Sequence, residues 1–169
     1  TAYYQKDAIV GDGYNSGMYS VTDFPLYTAM TRAFTENEGW SEGMARLYYV
    51  LSQDFLYANP DHVLTFLDNH DLNRYYNSIN RDHSALKMAL TFLLTTRGIP
   101  QIYYGTELLM DGNSGVSHGD IRKDFPVGWP GDTLNAFTST GRNDKQNEAY
   151  NTMQKLLNWR KGNVAVTQG

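Results

Sequence analysis

The chain is 169 residues long, enough for one domain with a real core and near the upper size of a compact single module. Fourteen Lys and Arg against eighteen Asp and Glu leave a net charge of −4, which gives no electrostatic footprint for a phosphate backbone or an anionic lipid and argues against nucleic acid as a partner. The lack of cysteine excludes disulfides, thiolate zinc sites and cysteine nucleophiles, and the longest apolar run, Met88 to Leu94, falls far short of the roughly 20 residues that span a bilayer.

In chain order, Met18 to Thr22 reads as a short strand. Asp23 then reads as the N-cap of a helix whose apolar residues Leu26, Met30, Ala33 and Phe34 recur at helical spacing. Ser41 is placed to cap a second helix with Met44, Leu47, Tyr48, Leu51 and Phe55 on one face, and Asn59-Pro60 stops it. Val63 to Leu67 is the second strand. Ser84 opens a helix through Leu86, Leu90, Leu93 and Leu94. Gly98-Ile99-Pro100 ends it and admits a third strand, Gln101 to Tyr104, at whose start the missing donor of Pro100 is tolerated. From Thr106 to about Gln146 neither period is sustained, and an irregular stretch of about 40 residues in a globular chain is usually functional or disordered. Asn147 to Lys161 is a final helix with Tyr150, Met153, Leu156, Leu157 and Trp159 apolar and Gly162 as its C-cap. Asn163 to Gly169 reads as an exit toward further polypeptide, and a chain opening on Thr1 is expected to be processed or cut from a longer one.

Alternating strands and helices predict an α/β fold with parallel strands and right-handed crossovers. Three strands neither close a barrel nor make a comfortable open sheet, whereas a (β/α)8 barrel has eight strands and typically about 250 residues. The expectation is therefore a partial (β/α)8 TIM barrel, the back end of one. In such sheets ligands sit beyond the carboxyl ends of the strands, so the polar residues just past each apolar run are the site candidates. Phe66-Leu67-Asp68-Asn69-His70-Asp71 is one such place and puts Asn69, His70 and Asp71 at the mouth of a site. Gly98 to Glu107, with its paired Tyr103-Tyr104, is the other. The 13 Tyr, seven Phe and three Trp have flat faces that fill a core or stack on sugar rings, and the core reading is favoured for any one of them.

These segments resemble motifs of the α-amylase family of glycoside hydrolases (family 13), and within it the neopullulanase and cyclomaltodextrinase branch. Phe66 to Asp71 is similar to the family's motif at the end of barrel strand seven, Gly98 to Glu107 to its strand-eight motif, and Met18 to Leu26, with Thr22-Asp23-Phe24-Pro25-Leu26, to its strand-six region. Ile121-Arg122-Lys123-Asp124-Phe125-Pro126 also looks like a segment of that branch, and the resemblance runs from Tyr3 to Gly169. It implies strands six to eight with their helices, residues 1–169 being the C-terminal portion of a catalytic barrel truncated before a following β-domain. It further implies retaining cleavage of α-glucosidic bonds in starch-type oligosaccharides. Asp71 would be the third carboxylate supporting a positively charged sugar, a role that suits an oxocarbenium-like transition state. His70 and Asn69 would bind substrate beside it, and Arg74 would orient a carboxylate or contact sugar. The strand-four nucleophile Asp and strand-five acid Glu have no counterpart here, so the chain alone is expected to be inactive. No cofactor is implied in this segment; calcium in the parent would be held by oxygen ligands outside it, and the parent's compartment is left open, with periplasm or exterior suggested by relatives acting on external starch.

Blander readings stand beside these. Asp71 can cap a turn after a strand, His70 can be structural, Tyr103 and Tyr104 are read as packing one side of the barrel before touching sugar, and Glu107 serves either a substrate network or the cap of a turn. His62, His83 and His118 lack ligand spacing, so no metal is assigned, and Asp111-Gly112-Asn113-Ser114 lacks the spacing of a calcium loop. Gly119 to Asp124 imitates the Arg-x-Asp of the family nucleophile without the preceding strand that such a motif needs. The alternative function is a non-catalytic glucan-binding or interaction domain derived from the same barrel. Open strand edges also lead us to expect self-association.

Overall fold

The computed structural model describes residues 17–163; what was expected of residues 1–16 and of the tail 164–169 lies outside the described residues. Asp23 starts helix α1 (Phe24–Ala33) by accepting the Leu26 N–H at 3.0 Å, and Pro25 occupies the first turn, where no intrahelical donor is required. Leu26, Ala29, Met30 and Ala33 form its buried stripe. The strand expected before it contracts to one parallel bridge, Thr22 with Leu64. Leu64 N–H donates to Val21 O and Asp23 N–H to Leu64 O, both at 2.9 Å, whereas Tyr19 turns out to stack on His62 with ring centroids 4.2 Å apart.

Helix α2 (Ala45–Leu51) has no side-chain cap. The Ser41 hydroxyl is bonded to Glu42 instead (2.9 Å), and Gly43, at φ +59°, turns the chain into the helix. Leu47 is its buried residue, while Tyr48 and Phe55 are exposed, so the predicted apolar face mostly meets solvent. Phe55 falls in a separate 3-10 turn, Asp54–Leu56, and a second one, Pro60–His62, is capped by Asn59.

Strands β1 (Leu64–Phe66) and β2 (Ile99–Gln101) pair in parallel, with Leu64 opposite Ile99 and Phe66 opposite Gln101. β2 begins two residues earlier than the sequence suggested, and Pro100 lies inside it. Because Ile99 N–H donates to Val63 O, the next nitrogen faces away from β1, on the open side of the pair where proline is tolerated. Gly98 is required before it: φ is +90°, and a Cβ there would stand 2.6 Å from Val63 O. A cluster of Arg97, Asp23, Asp54 and Tyr57 ties this approach to the start of α1, with Arg97 Nη1 2.6 Å from Asp23 Oδ2 and Tyr57 OH donating to Asp23 Oδ1 at 3.1 Å.

After β1 come the single turn α3 (Tyr75–Ser78) and helix α4 (His83–Thr95). Asp82, two residues before the predicted Ser84, caps α4 by accepting from Ser84 N and Ala85 N. Its backbone is extended (φ −74°, ψ 110°) and so already outside the helix, as an N-cap must be. Leu86, Leu90, Leu93 and Leu94 are buried as their spacing demands, together with Ala85 and Ala89. Within 106–146 the chain forms only short pieces: a 3-10 turn Thr106–Leu108, α5 (His118–Ile121), a 3-10 turn Ser139–Gly141 and the antiparallel bridge Val127–Asn135. Helix α6 (Asp144–Gly162) starts three residues early because Asn143 and Gln146 form a reciprocal capping box, and it ends on Asn163, with Gly162 still helical. Arg160 crosses from α6 to the end of α4 and donates to Leu94 O (3.0 Å), Thr96 O (3.0 Å) and Gly98 O (2.6 Å), satisfying carbonyls that a helix end leaves bare. The core runs through Leu26, Met30, Leu67, Tyr75, Leu90 and Met153, so α1, α3, α4 and α6 all close on the tip of β1.

Candidate functional site at the strand tips

Past β1 the chain remains buried through Leu67 and Asp68 and then surfaces. Asp68 is 2% exposed. Its Oδ2 accepts the Tyr75 N–H (2.8 Å) and its Oδ1 lies 3.2 Å from Thr106 Oγ1. Burial pushes its carboxyl up to about 6, and Glu107 adds to this, against the opposing pull of the Tyr75 N–H, the Arg74 charge and the Thr106 hydroxyl.

The next three residues form the rim. Asn69 Oδ1 accepts the Asp71 N–H (2.9 Å), an Asx turn that orients the following side chains. His70 Nε2 is 3.2 Å from Asp71 Oδ2, and these two side chains are 64% and 60% exposed. Arg122, just past α5, reaches across to them: Nε donates to His70 O (2.8 Å) and Nη2 to Asp71 Oδ1 (2.9 Å). The same Nη2 is 3.3 Å from His118 Nδ1. A carboxylate, an imidazole and a guanidinium thus share one surface beyond the strand tips, a set able to bind hydroxyls and to offer a fixed negative charge.

Arg74 lies elsewhere. It is 1% exposed, with its guanidinium 4.0 Å from the centroid of Tyr103 and 4.6 Å from that of Tyr104, and Nη1 donates to Tyr104 O (2.5 Å). The structure therefore groups Asn69, His70 and Asp71 at the rim and buries Arg74 against the adjoining rings of Tyr103 and Tyr104, whose centroids are 4.7 Å apart. The two tyrosines also hold the far segment, Tyr104 OH donating to Lys123 O (2.8 Å) and Tyr103 OH to Ile121 O (3.4 Å). Glu107 is half-buried in the 3-10 turn after β2, and burial raises its carboxyl above the usual range. Asp111 of the acidic turn is ion-paired with Arg81 (2.5 Å), and among the described residues no group of three or more His, Asp or Glu is arranged to hold a metal.

Three participants escaped the sequence reading. Arg122 lies in a segment that resembles the family branch and imitates its nucleophile motif, neither of which points to this contact, and 51 residues separate it from Asp71. Asp68 and Thr106 carry no sequence mark of their own beyond an acid at the end of an apolar run, a signal that Asp71 shares.

Parallel strands, crossover helices and polar groups gathered beyond the strand tips define part of a (β/α)8-barrel protein with a polar rim. The family description "Alpha amylase, catalytic domain" matches residues 13–129. Cyclomaltodextrin glucanotransferases of Thermoanaerobacterium thermosulfurigenes and Bacillus sp. (strain 38-2) are 34% and 36% identical over 154 residues, 91% of this chain and 18% of their own length. The α-amylase from Geobacillus thermoleovorans, solved complexed with acarbose, superimposes with a TM-score of 0.67 at 28% identity over 90% of this chain and 31% of its own. A cyclomaltodextrinase, at 21% identity and a TM-score of 0.67 over 94% of this chain and 24% of its own, shares the fold. The chain belongs to the α-amylase catalytic-domain family, glycoside hydrolase family 13, and forms part of its (β/α)8 barrel.

Proposed function

We propose that this chain is the strand-six-to-eight portion of the catalytic barrel of an enzyme that cleaves α-glucosidic bonds of starch-type oligosaccharides with retention, in the manner of the neopullulanase branch. The observation that carries the reading is the exposed Asp71 carboxylate held between His70 and Arg122 beyond the tip of β1. A fixed negative charge at that position favours positive charge developing on a sugar ring, and it needs no reorganisation when the charge appears. His70 and Asn69 supply hydrogen bonds to ring hydroxyls. Arg74, buried against Tyr103 and Tyr104, supports the rim from within.

Nucleophile and acid come from parts of the parent outside this chain, which by itself turns over no substrate. Any calcium in the parent is bound outside this segment as well. The open side of β2 is where a second copy of the isolated chain pairs. Replacing Asp71 by Asn in the full-length parent is expected to lower kcat on maltooligosaccharides about 100- to 1,000-fold with the fold intact; wild-type turnover by that variant overturns the reading. The likeness to two glucanotransferases favours a second outcome, transfer of the glucosyl unit to a glucan hydroxyl in place of water, and product analysis with the parent separates cyclic or lengthened glucans from reducing sugar.

A further inference from the structure

Asp68 sits at the neck of the loop that carries Asp71. By accepting the Tyr75 N–H it closes the chain from 68 to 75 on itself, and through Thr106 it reaches the turn after β2. Within that loop the Asx turn at Asn69 and the bond from Arg74 N–H to Gly112 O (3.0 Å) set local shape, while Arg122 holds the apex from the solvent side. A carboxylate this buried is unfavourable unless its bonds hold something, since an apolar side chain would fill the same space without desolvating a charge.

We propose that Asp68 is a positioning residue, a clasp that fixes the turn bearing Asp71 relative to the tip of β2; this rests on the reading of Asp71 as a catalytic carboxylate. Thr106 has one hydroxyl proton and two acceptors in reach, Tyr103 O at 2.8 Å and Asp68 Oδ1 at 3.2 Å. Ionised Asp68 accepts that proton. Neutral Asp68, within reach because burial raises its carboxyl to about 6, donates its own proton to Thr106 Oγ1, which then donates to Tyr103 O. The clasp holds in both states. An Asn amide reproduces the donor and acceptor of the neutral form, and an Ala methyl reproduces neither.

The test uses the full-length parent and steady-state turnover of maltooligosaccharides per folded molecule. Asp68→Ala is expected to lower kcat about ten-fold or more with KM within about two-fold, because a small misplacement of a reacting group acts on the transition state more than on binding. Asp68→Asn is expected to restore kcat to within about three-fold of wild type. Thr106→Val removes the crossing to β2 while leaving the Tyr75 bond in place, and is expected to lower kcat as Asp68→Ala does, with Thr106→Ser restoring it. Wild-type kcat in Thr106→Val, or Asp68→Asn as impaired as Asp68→Ala, overturns the clasp; if Asp68→Ala does not fold, the Thr106 pair decides. Asp71→Asn separates the two readings: full turnover by it removes the catalytic reading, whereas its inactivity beside unaffected Thr106→Val removes only the clasp.

Discussion

Asp68 and Asp71 stand three residues apart in one motif and have opposite surroundings. The first is enclosed, with donors from α3 and from the turn after β2; the second is more than half exposed and meets a histidine and an arginine at the surface. A chain leaving this packed strand stays buried for two residues before reaching solvent, so acids in the same run divide into one that bonds the backbone and one that meets the surface. Arg74 and Arg122 divide the same way: one is buried against two phenol rings, the other spans the surface.

Stability measurements break this contrast if buried and rim groups behave alike. The largest effect is expected for Arg74→Ala, which removes the bond to Tyr104 O and both ring contacts and should destabilise by about 3 kcal/mol in urea unfolding of the full-length protein; a loss under about 1 kcal/mol would put Arg74 on the rim side. Asp68 comes next through pH. Its folded value of about 6 lies above the ordinary 3.8, so its contribution to stability is fully present below the ordinary value and is lost as pH rises through about 6. That shift corresponds to about 3 kcal/mol at most. Asp68→Asn escapes the loss, and its stability relative to wild type should rise between pH 4 and pH 7.5; a fall over that range contradicts the burial argument.

Arg160→Ala tests the same principle away from the site. It takes a donor from the carbonyls of Leu94, Thr96 and Gly98, between the end of α4 and the start of β2, and should destabilise by about 2 kcal/mol, with Arg160→Lys recovering only part because a single ammonium cannot fork between the Leu94 and Gly98 carbonyls as a guanidinium does. The smallest effect belongs to Arg122→Ala. Its ion pair with Asp71 is solvent-exposed, and the change in stability should stay within about 1 kcal/mol; differential scanning calorimetry showing a larger loss would make Arg122 part of the framework.

Local chemistry was legible wherever it acts through near neighbours. Asp23 had the cap geometry that its sequence context suggests, and the leucines of α4 are buried at their helical spacing. Ser41 and Ser84 misled because a nearby Glu42 took the first hydroxyl and Asp82 occupied the cap ahead of the second. The face read for α2 is covered only in part, Leu47 and Leu51 packing into the core while Met44, Tyr48 and Phe55 stay exposed. At the site, Asn69, His70 and Asp71 were recognisable as a polar run closing an apolar strand, whereas Arg122 was not.

The sequence by itself determined the alternation of strand and helix, the family motifs and the rim's carboxylate candidate, because periodicity, capping and motif spacing are all properties of residues close along the chain. Only the tertiary structure decided which acid is buried and which exposed, that Arg74 is buried against Tyr103 and Tyr104, and that Arg122 grips the rim's apex, because burial and long-range hydrogen bonds depend on how distant segments meet across the strand tips.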